Sequence, residues 1–138
     1  IKLKKQQCLT LGNLYAVRDW GHAKDYVESM WKILQYKKPD DWVIATNEEM
    51  TVKEFINKCA KKLKIDLLWK FKGIKEIAVD KNTKKVIIKI DKKYFRPGEV
   101  DFLKGDYSKA KKLLKWKPKY KSDDLINDMI EYEKDLYE

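Results

Sequence analysis

Among 32 basic residues only Arg18 and Arg96 are arginines, and where they fall is the first clue to chemistry. Arg18 lies in Val17-Arg18-Asp19-Trp20-Gly21-His22, at the end of an extended-looking run and just before a helix pattern. Arg96 lies in Tyr94-Phe95-Arg96-Pro97-Gly98-Glu99, where Pro97 sets a turn and Gly98 loosens it. A planar guanidinium carries five donors in a fork that matches the oxygens of a diphosphate better than an ammonium does. A carboxylate three residues on, Glu99, suits hydroxyl or amine donors of the same ligand. Residue type leaves a second reading open, in which the arginines close structural ion pairs, Arg18 with Asp19 or Asp25 and Arg96 with Glu99. Trp20, beside Arg18, is placed to line a pocket.

Other chemistry finds little support. His22 is the sole histidine, so neither a histidine-based metal cluster nor a Ser-His-Asp triad has more than one member. Tyr107-Ser108-Lys109-Ala110-Lys111 satisfies a YxxxK spacing, but a two-residue match is expected by chance in a chain with eight Tyr and this much Lys. Catalytic residues and metal ligands are therefore expected to be none. Cys8 and Cys59 have neither CxxC nor ligand spacing and read as reduced thiols.

The net charge of +10 raises nucleic-acid binding as a function. The surplus is almost all lysine, whereas groove recognition leans on arginine. The charge also comes in adjacent blocks: Lys104 to Lys121 is lysine-rich and Ser122 to Glu138 is acidic, so the two are expected to pair. The expectation is no nucleic-acid partner, with a lysine-driven binding module over 104–121 as the alternative. No apolar run reaches the length of a membrane span and no signal-peptide pattern is present, which argues for a soluble, cytoplasmic protein without a membrane partner. The length fits one domain. Ile1-Lys2-Leu3 has no initiator Met and no cap, as though the chain began inside a helix, and suggests material upstream.

The elements that must position these residues follow from pattern. An extended stretch runs from Leu14 to Trp20. Ala23, Val27, Met30, Trp31 and Leu34 recur on one helical face, which is expected inward, ending before Lys38-Pro39. Trp42 to Thr46 is an apolar run suited to a buried strand. Thr51-Val52-Lys53-Glu54 is a capping box opening a helix to about Leu63, with Phe55, Ala60 and Leu63 inward. Ile65 to Phe71 reads as a strand, and Glu76–Val79 with Lys85–Ile90 as a hairpin around Asp80-Lys81-Asn82-Thr83. A short helix capped by Asp106 or Ser108 carries Ala110, Leu113 and Leu114. Ser122 caps a last helix with Leu125, Ile126, Met129 and Ile130 on one side. Trp31, Trp42 and Trp116 are assigned to packing. The class is mixed α/β.

The segment Leu11-Gly12-Asn13-Leu14 through Arg18-Asp19-Trp20-Gly21-His22-Ala23-Lys24-Asp25-Tyr26-Val27 resembles the RDWGxxxDYV signature of GDP-mannose 4,6-dehydratases, extended short-chain dehydrogenase/reductases. Val43-Ile44-Ala45-Thr46, Tyr94 to Val100, Gly105-Asp106 with Lys109-Ala110, and Leu114 to Pro118 match the same family in order, over nearly the whole chain. The resemblance implies an α/β, C-terminal substrate-binding part with mixed helices and short strands over residues 1–138, the N-terminal Rossmann domain being absent from this chain. The Val43–Thr46 strand would belong to that Rossmann sheet, leaving apolar surface around Val43-Ile44 exposed in its absence. It implies that Arg18 and Arg96 contact the diphosphate of GDP-mannose and Glu99 its nucleoside. It further implies NADP on the missing domain, oxidation at the mannose C4 hydroxyl, loss of water across C5 and C6, return of hydride to C6, and a dimer or tetramer. The catalytic Tyr and Lys would lie upstream, so the isolated piece is expected to be inactive. A different nucleotide-sugar epimerase or dehydratase is the alternative within the class.

Overall fold

A computed structural model describes residues 1–96 and 98–137. The chain forms two compact units, Ile1–Ala16 with Thr51–Asp101, and Val17–Met50 with Phe102–Leu136.

The first unit is built on a four-stranded sheet. Its strands are β1 (Leu9–Leu11), β4 (Leu67–Lys70), β5 (Ile77–Asp80) and β6 (Val86–Ile90), in the order β1-β6-β5-β4. β1 runs parallel to β6, with Leu9 opposite Ile88 and Leu11 opposite Ile90. β4 and β5 are antiparallel, as are β5 and β6, whose register shifts at Ala78/Val79. The expected hairpin is present, and the Asp80 carboxylate closes its turn by accepting from the Asn82 N–H and the Thr83 hydroxyl, both at 2.9 Å. Ala78, Ile87 and Ile88 form the core, with Leu9, Leu11, Ile56, Ile65, Leu67 and Trp69 against them. Ile56 comes from helix α2 (Val52–Lys62). The capping box of α2 is complete: the Thr51 hydroxyl accepts from the Glu54 N–H, and the Glu54 carboxylate accepts from the Thr51 N–H. As expected, Ala60 is buried. The chain does not begin in a helix; residues 1–8 are turns and irregular backbone before β1.

The second unit carries helices α1 (Ala23–Leu34), α3 (Ser108–Leu113) and α4 (Ser122–Tyr137). Strand β2 (Val17–Asp19) pairs with β3 (Glu49–Thr51), so the extended stretch from Leu14 is a strand only over its last part. Its core is Ala110, Leu114 and Trp116, with Ile33, Tyr36, Trp42, Ile44 and Tyr107 around them. Trp116 is fully buried and its Nε1 donates to the Asp25 carbonyl at 3.0 Å. Ala110 and Leu114 pack inward, whereas Leu113 is exposed. In α3 neither expected cap takes the N-cap position, which is held by Tyr107 without a side-chain bond; the Asp106 carboxylate, one residue earlier, accepts from the Ser108 N–H at 2.8 Å. In α4, Ser122 is inside the first turn rather than the cap; its N–H donates to Glu48, and Asp124 accepts from the Lys121 N–H instead.

Two expectations fail in an informative way. The inward face of α1 is not the apolar one: Asp25 and Ser29 are buried, while Trp31 is 65% and Leu34 77% exposed, with Val27 and Met30 also outside. Periodicity located the helix and its stripe, but the Asp25 carboxylate turns the other face inward by accepting from the Lys119 and Tyr120 N–H groups at 3.1 Å. Trp31 is accordingly not a packing residue in this chain. Trp42 to Thr46 is in none of the strands, although Ala45 and Thr46 are buried. A strand needs a ladder, and the Thr46 N–H is taken by the Asp19 carboxylate. Val43 remains half exposed, as expected, while Ile44 packs on the Trp116 cluster.

Candidate functional site

Arg18 and Trp20 belong to the second unit, Arg96 and Glu99 to the first. Each pair is placed by different local rules.

Arg18 is the middle residue of β2 and is half buried. Its Nη1 donates to the Val17 carbonyl at 2.8 Å. The next residue sets the frame: the Asp19 carboxylate accepts from the Thr46 N–H, the Thr46 hydroxyl and the Asn47 N–H, all at 2.9 Å. These are charge-assisted bonds, so the carboxylate ties β2 to the turn entering β3. Asn47 sits at φ 60°, a conformation Asn tolerates better than most residues and one that presents its N–H to that carboxylate. Trp20 is clasped as well, with its N–H donating to the Glu48 carbonyl and its Nε1 to the Met50 carbonyl. Its indole is therefore held by β3, and half buried. Gly21 follows under the Tyr26 ring, where a Cβ would come within 2.2 Å of the phenol oxygen, so the loop passes there only without a side chain.

His22 ends the loop as the N-cap of α1. Its Nδ1 accepts from the Lys24 N–H at 3.1 Å, which leaves Nε2 facing Asp128 at 3.1 Å, and its ring stacks on Tyr120 at 4.4 Å. Lys24 also reaches Asp128, and the Lys24 hydrogen bond and charge hold that carboxyl below its ordinary range. The sole histidine is thus a buried helix cap, fully occupied by structure.

Arg96 and Glu99 flank a turn in which the Glu99 N–H donates to the Arg96 carbonyl at 3.2 Å. Pro97, expected to fix that turn, lies outside the described residues. Arg96 is exposed and Glu99 half buried.

Sequence reasoning missed a charged cluster in the first unit. Glu76 is buried and receives the Tyr15 hydroxyl at 2.7 Å and the Lys53 ammonium, which also sits 4.6 Å over the Trp69 ring and 5.4 Å over Tyr15. The Glu76 hydrogen bond, with burial, raises the Tyr15 phenol. Burial pulls the Lys53 amine down, but the Glu76 hydrogen bond and charge overcome it and leave it raised. No spacing announced this cluster, because its members are 61 and 23 residues from Glu76 in sequence. Tyr15 adjoins Asn13, whose Oδ1 accepts from the Tyr15 N–H.

Four lysines of 104–121 form ion pairs with acids outside the block that follows them. Lys104 meets Glu49, Lys109 meets Asp40, Lys119 meets Glu28 and Lys121 meets Glu48, all acids from the first half of the chain. Tyr107 packs edge-on against Trp116 and Lys111 is exposed, so the YxxxK match has no catalytic geometry. Two hollows lie within the units, one of about 430 Å³ bordered by Asn57, Lys61 and Lys64, the other of about 640 Å³ between the start of α1 and α4. Neither is lined by Arg18, Trp20, Arg96 or Glu99. Among the described residues no group of three His, Cys, Asp or Glu is arranged to hold a metal ion, and no helix is long and apolar enough to cross a membrane.

Residues 1–129 match the family model described as GDP-mannose 4,6 dehydratase. The chain belongs to that family. It is 47% identical to the GDP-mannose 4,6 dehydratase of Homo sapiens over 99% of its length, and 48% identical to that of Dictyostelium discoideum over 91%. It spans only 37% and 35% of those two proteins. In fold it resembles a UDP-glucose 4-epimerase from Thermotoga maritima solved with UDP-glucose, with a TM-score of 0.73, 21% identity, and 99% of this chain against 38% of that one. It also resembles RMD from Pseudomonas aeruginosa complexed with NADPH, with a TM-score of 0.68, 15% identity, and 94% against 37%. The mixed α/β fold expected from sequence is the fold observed.

The nicotinamide cofactor expected from the resemblance does not fit the described residues of this chain. A pyrophosphate needs an open glycine turn at a helix N-terminus. Here Gly12, Gly21 and Gly105 are pressed against Tyr94, Tyr26 and Ala45, and Gly73 and Gly98 sit in isolated turns. No GxGxxG or GxxGxxG spacing occurs in the sequence either.

Proposed function

We propose that this chain is the nucleotide-sugar-binding portion of a GDP-mannose 4,6-dehydratase. Arg18 and Arg96 hold the diphosphate, Glu99 the nucleoside and Trp20 the wall of the pocket. The substrate is GDP-mannose, converted to GDP-4-keto-6-deoxymannose. NADP and the catalytic groups reside in a Rossmann portion outside these residues, within a homo-oligomeric cytoplasmic enzyme, and this chain alone is inactive.

The observation that carries the reading is the family match together with the rigid frame around Arg18. Three bonds to Asp19 and two from Trp20 fix the loop before any ligand arrives, which lowers the ordering cost of binding an anion there. The exposed stripe of Val27, Met30, Trp31 and Leu34 supports the Rossmann portion as its partner. A helix face of this kind is normally covered by a sheet. Val43 lies half exposed in an apolar segment that lacks a ladder in this chain, consistent with a strand completed by that sheet.

Thermal unfolding of the chain with GDP and with UDP tests the reading. Ligand at about 100 times its Kd adds about 2.7 kcal/mol of stability. GDP should raise Tm, UDP should not, and Arg18→Lys or Arg96→Lys should abolish the response, because an ammonium lacks the bidentate fork. An equal response to UDP would reassign the chain to another nucleotide-sugar enzyme.

A further inference from the structure

The turn from β4 into β5 has a composition that neither the fold nor nucleotide binding explains. Its sequence is Lys70-Phe71-Lys72-Gly73-Ile74-Lys75, and all six residues are exposed. Phe71 is 69% and Ile74 47% exposed. Phe71 holds φ 64°, a left-handed conformation that disfavours a bulky side chain, and Gly73 follows at 63°. The strained backbone turns the ring outward, and no hydrogen bond or ring contact of Phe71 in the described residues offsets it. Leu68, two residues before Lys70 on the same face of edge strand β4, is exposed too.

The charge at this tip is uncompensated. From Leu67 to Lys75 there are three lysines and no acid. The next residue, Glu76, is buried and engaged by Lys53 and Tyr15, so it does not neutralise them. The short 3-10 turn Gly73–Lys75 packs on β6, and since Ile77 is opposite Lys89 the chain leaves β6 at this same end. There exposed Lys92 and Lys93 outnumber the neighbouring exposed acid, Asp91, which caps their turn by accepting from the Lys93 N–H, and leave the end net positive.

We propose that the Lys70–Lys75 tip docks on the anionic surface of a membrane, with Phe71 and Ile74 entering the headgroup region and Lys70, Lys72 and Lys75 facing acidic lipid. Aliphatic Ile74 and Leu68 decide between this and single-stranded nucleic acid: they gain by leaving water at a lipid interface, whereas bases reward flat aromatic rings. The sequence argued against a membrane partner from the lack of a span, and a peripheral tip requires none. The proposal is independent of the nucleotide-sugar reading.

Co-sedimentation of the chain with phosphatidylcholine vesicles, with and without about one-third phosphatidylserine, tests it. Binding is expected on the anionic vesicles alone. Each lysine contributes about fivefold, so Lys70→Gln, Lys72→Gln and Lys75→Gln together weaken binding on the order of a hundredfold. Phe71→Ser with Ile74→Ser, which leaves the charge intact, should weaken it about tenfold or more. The same charge change elsewhere, Lys111→Gln, Lys112→Gln and Lys117→Gln, should keep most of the binding. Equal loss in that control set would assign the effect to net charge and overturn the proposal. So would absence of vesicle binding, or binding of a single-stranded oligonucleotide that only the tip variants lose.

Discussion

The Asp19 carboxylate grips Thr46 twice, taking its backbone N–H and its hydroxyl, each at 2.9 Å. The residue beside Arg18 is thus a framework residue, whose carboxylate holds the backbone of Thr46 and Asn47, 27 and 28 residues away. The backbone roles of Asp19 and Asp25 escape a sequence reading, because donors from distant loops are invisible in a residue pattern. Hydrogen bonds to a charged acceptor contribute roughly 1.5–3 kcal/mol each and leave unpaired donors when removed. Asp19→Ala should therefore cost about 2–4 kcal/mol in urea unfolding, with Asp19→Asn intermediate. A cost within error of zero would mean the loop is held by other contacts.

The buried cluster around Glu76 makes a second prediction. Removing one partner of a buried ion pair costs about 3–5 kcal/mol because the other charge stays desolvated, so Glu76→Ala should unfold the first unit at much lower urea. Its pH signature is alkaline. Tyr15 and Lys53 are both raised in the folded state, so each holds its proton longer there than in the unfolded chain. Their stabilisation is complete below the ordinary values near pH 10 and is lost as pH rises through the folded ones. Wild type should lose stability more steeply above about pH 10 than Glu76→Leu does.

At the other end of the scale lies the capping box of α2. Thr51→Ala should cost about 1 kcal/mol. The Thr51 backbone and hydroxyl bonds hold the Glu54 carboxyl below its ordinary range, so its contribution is present above about pH 4.3 and disappears as pH falls through the folded value. Thr51→Ala should flatten the acid limb of the stability curve, followed by circular dichroism.

Substitutions on the apolar stripe of α1 should behave unlike core substitutions. Met30→Ser and Leu34→Ser remove little burial in this chain, the two residues being 61% and 77% exposed, and should each change its stability by no more than about 0.5 kcal/mol. Binding of an apolar dye and aggregation on heating should both fall. A loss of several kcal/mol would show that the stripe is packed in solution.

Local rules made much of the fold legible. The Thr51 capping box, the Asp80 turn and the Ala110-Leu114-Trp116 cluster were each readable because a few neighbouring residues determine them. What escaped was set by non-local partners. The face of α1 depends on Asp25 meeting Lys119 and Tyr120, and the state of Val43–Thr46 depends on whether a neighbouring strand exists. The framework of Asp19, Asn47 and His22 that holds Arg18 and Trp20 was not legible either. Side chains that serve backbone groups far along the chain leave no periodic trace.

Trp116 and Trp31 differ so sharply in surroundings that the protein carries its own pair of optical probes. The sealed indole of Trp116, bonded to the Asp25 carbonyl, emits as a dry chromophore that soluble quenchers barely reach. The indole of Trp31 faces water on α1. With Trp20, Trp42 and Trp69 replaced by Phe, whatever comes to rest on that helix will shift the emission of Trp31 to the blue and shield it, while the signal from Trp116 reports that the interior is unchanged.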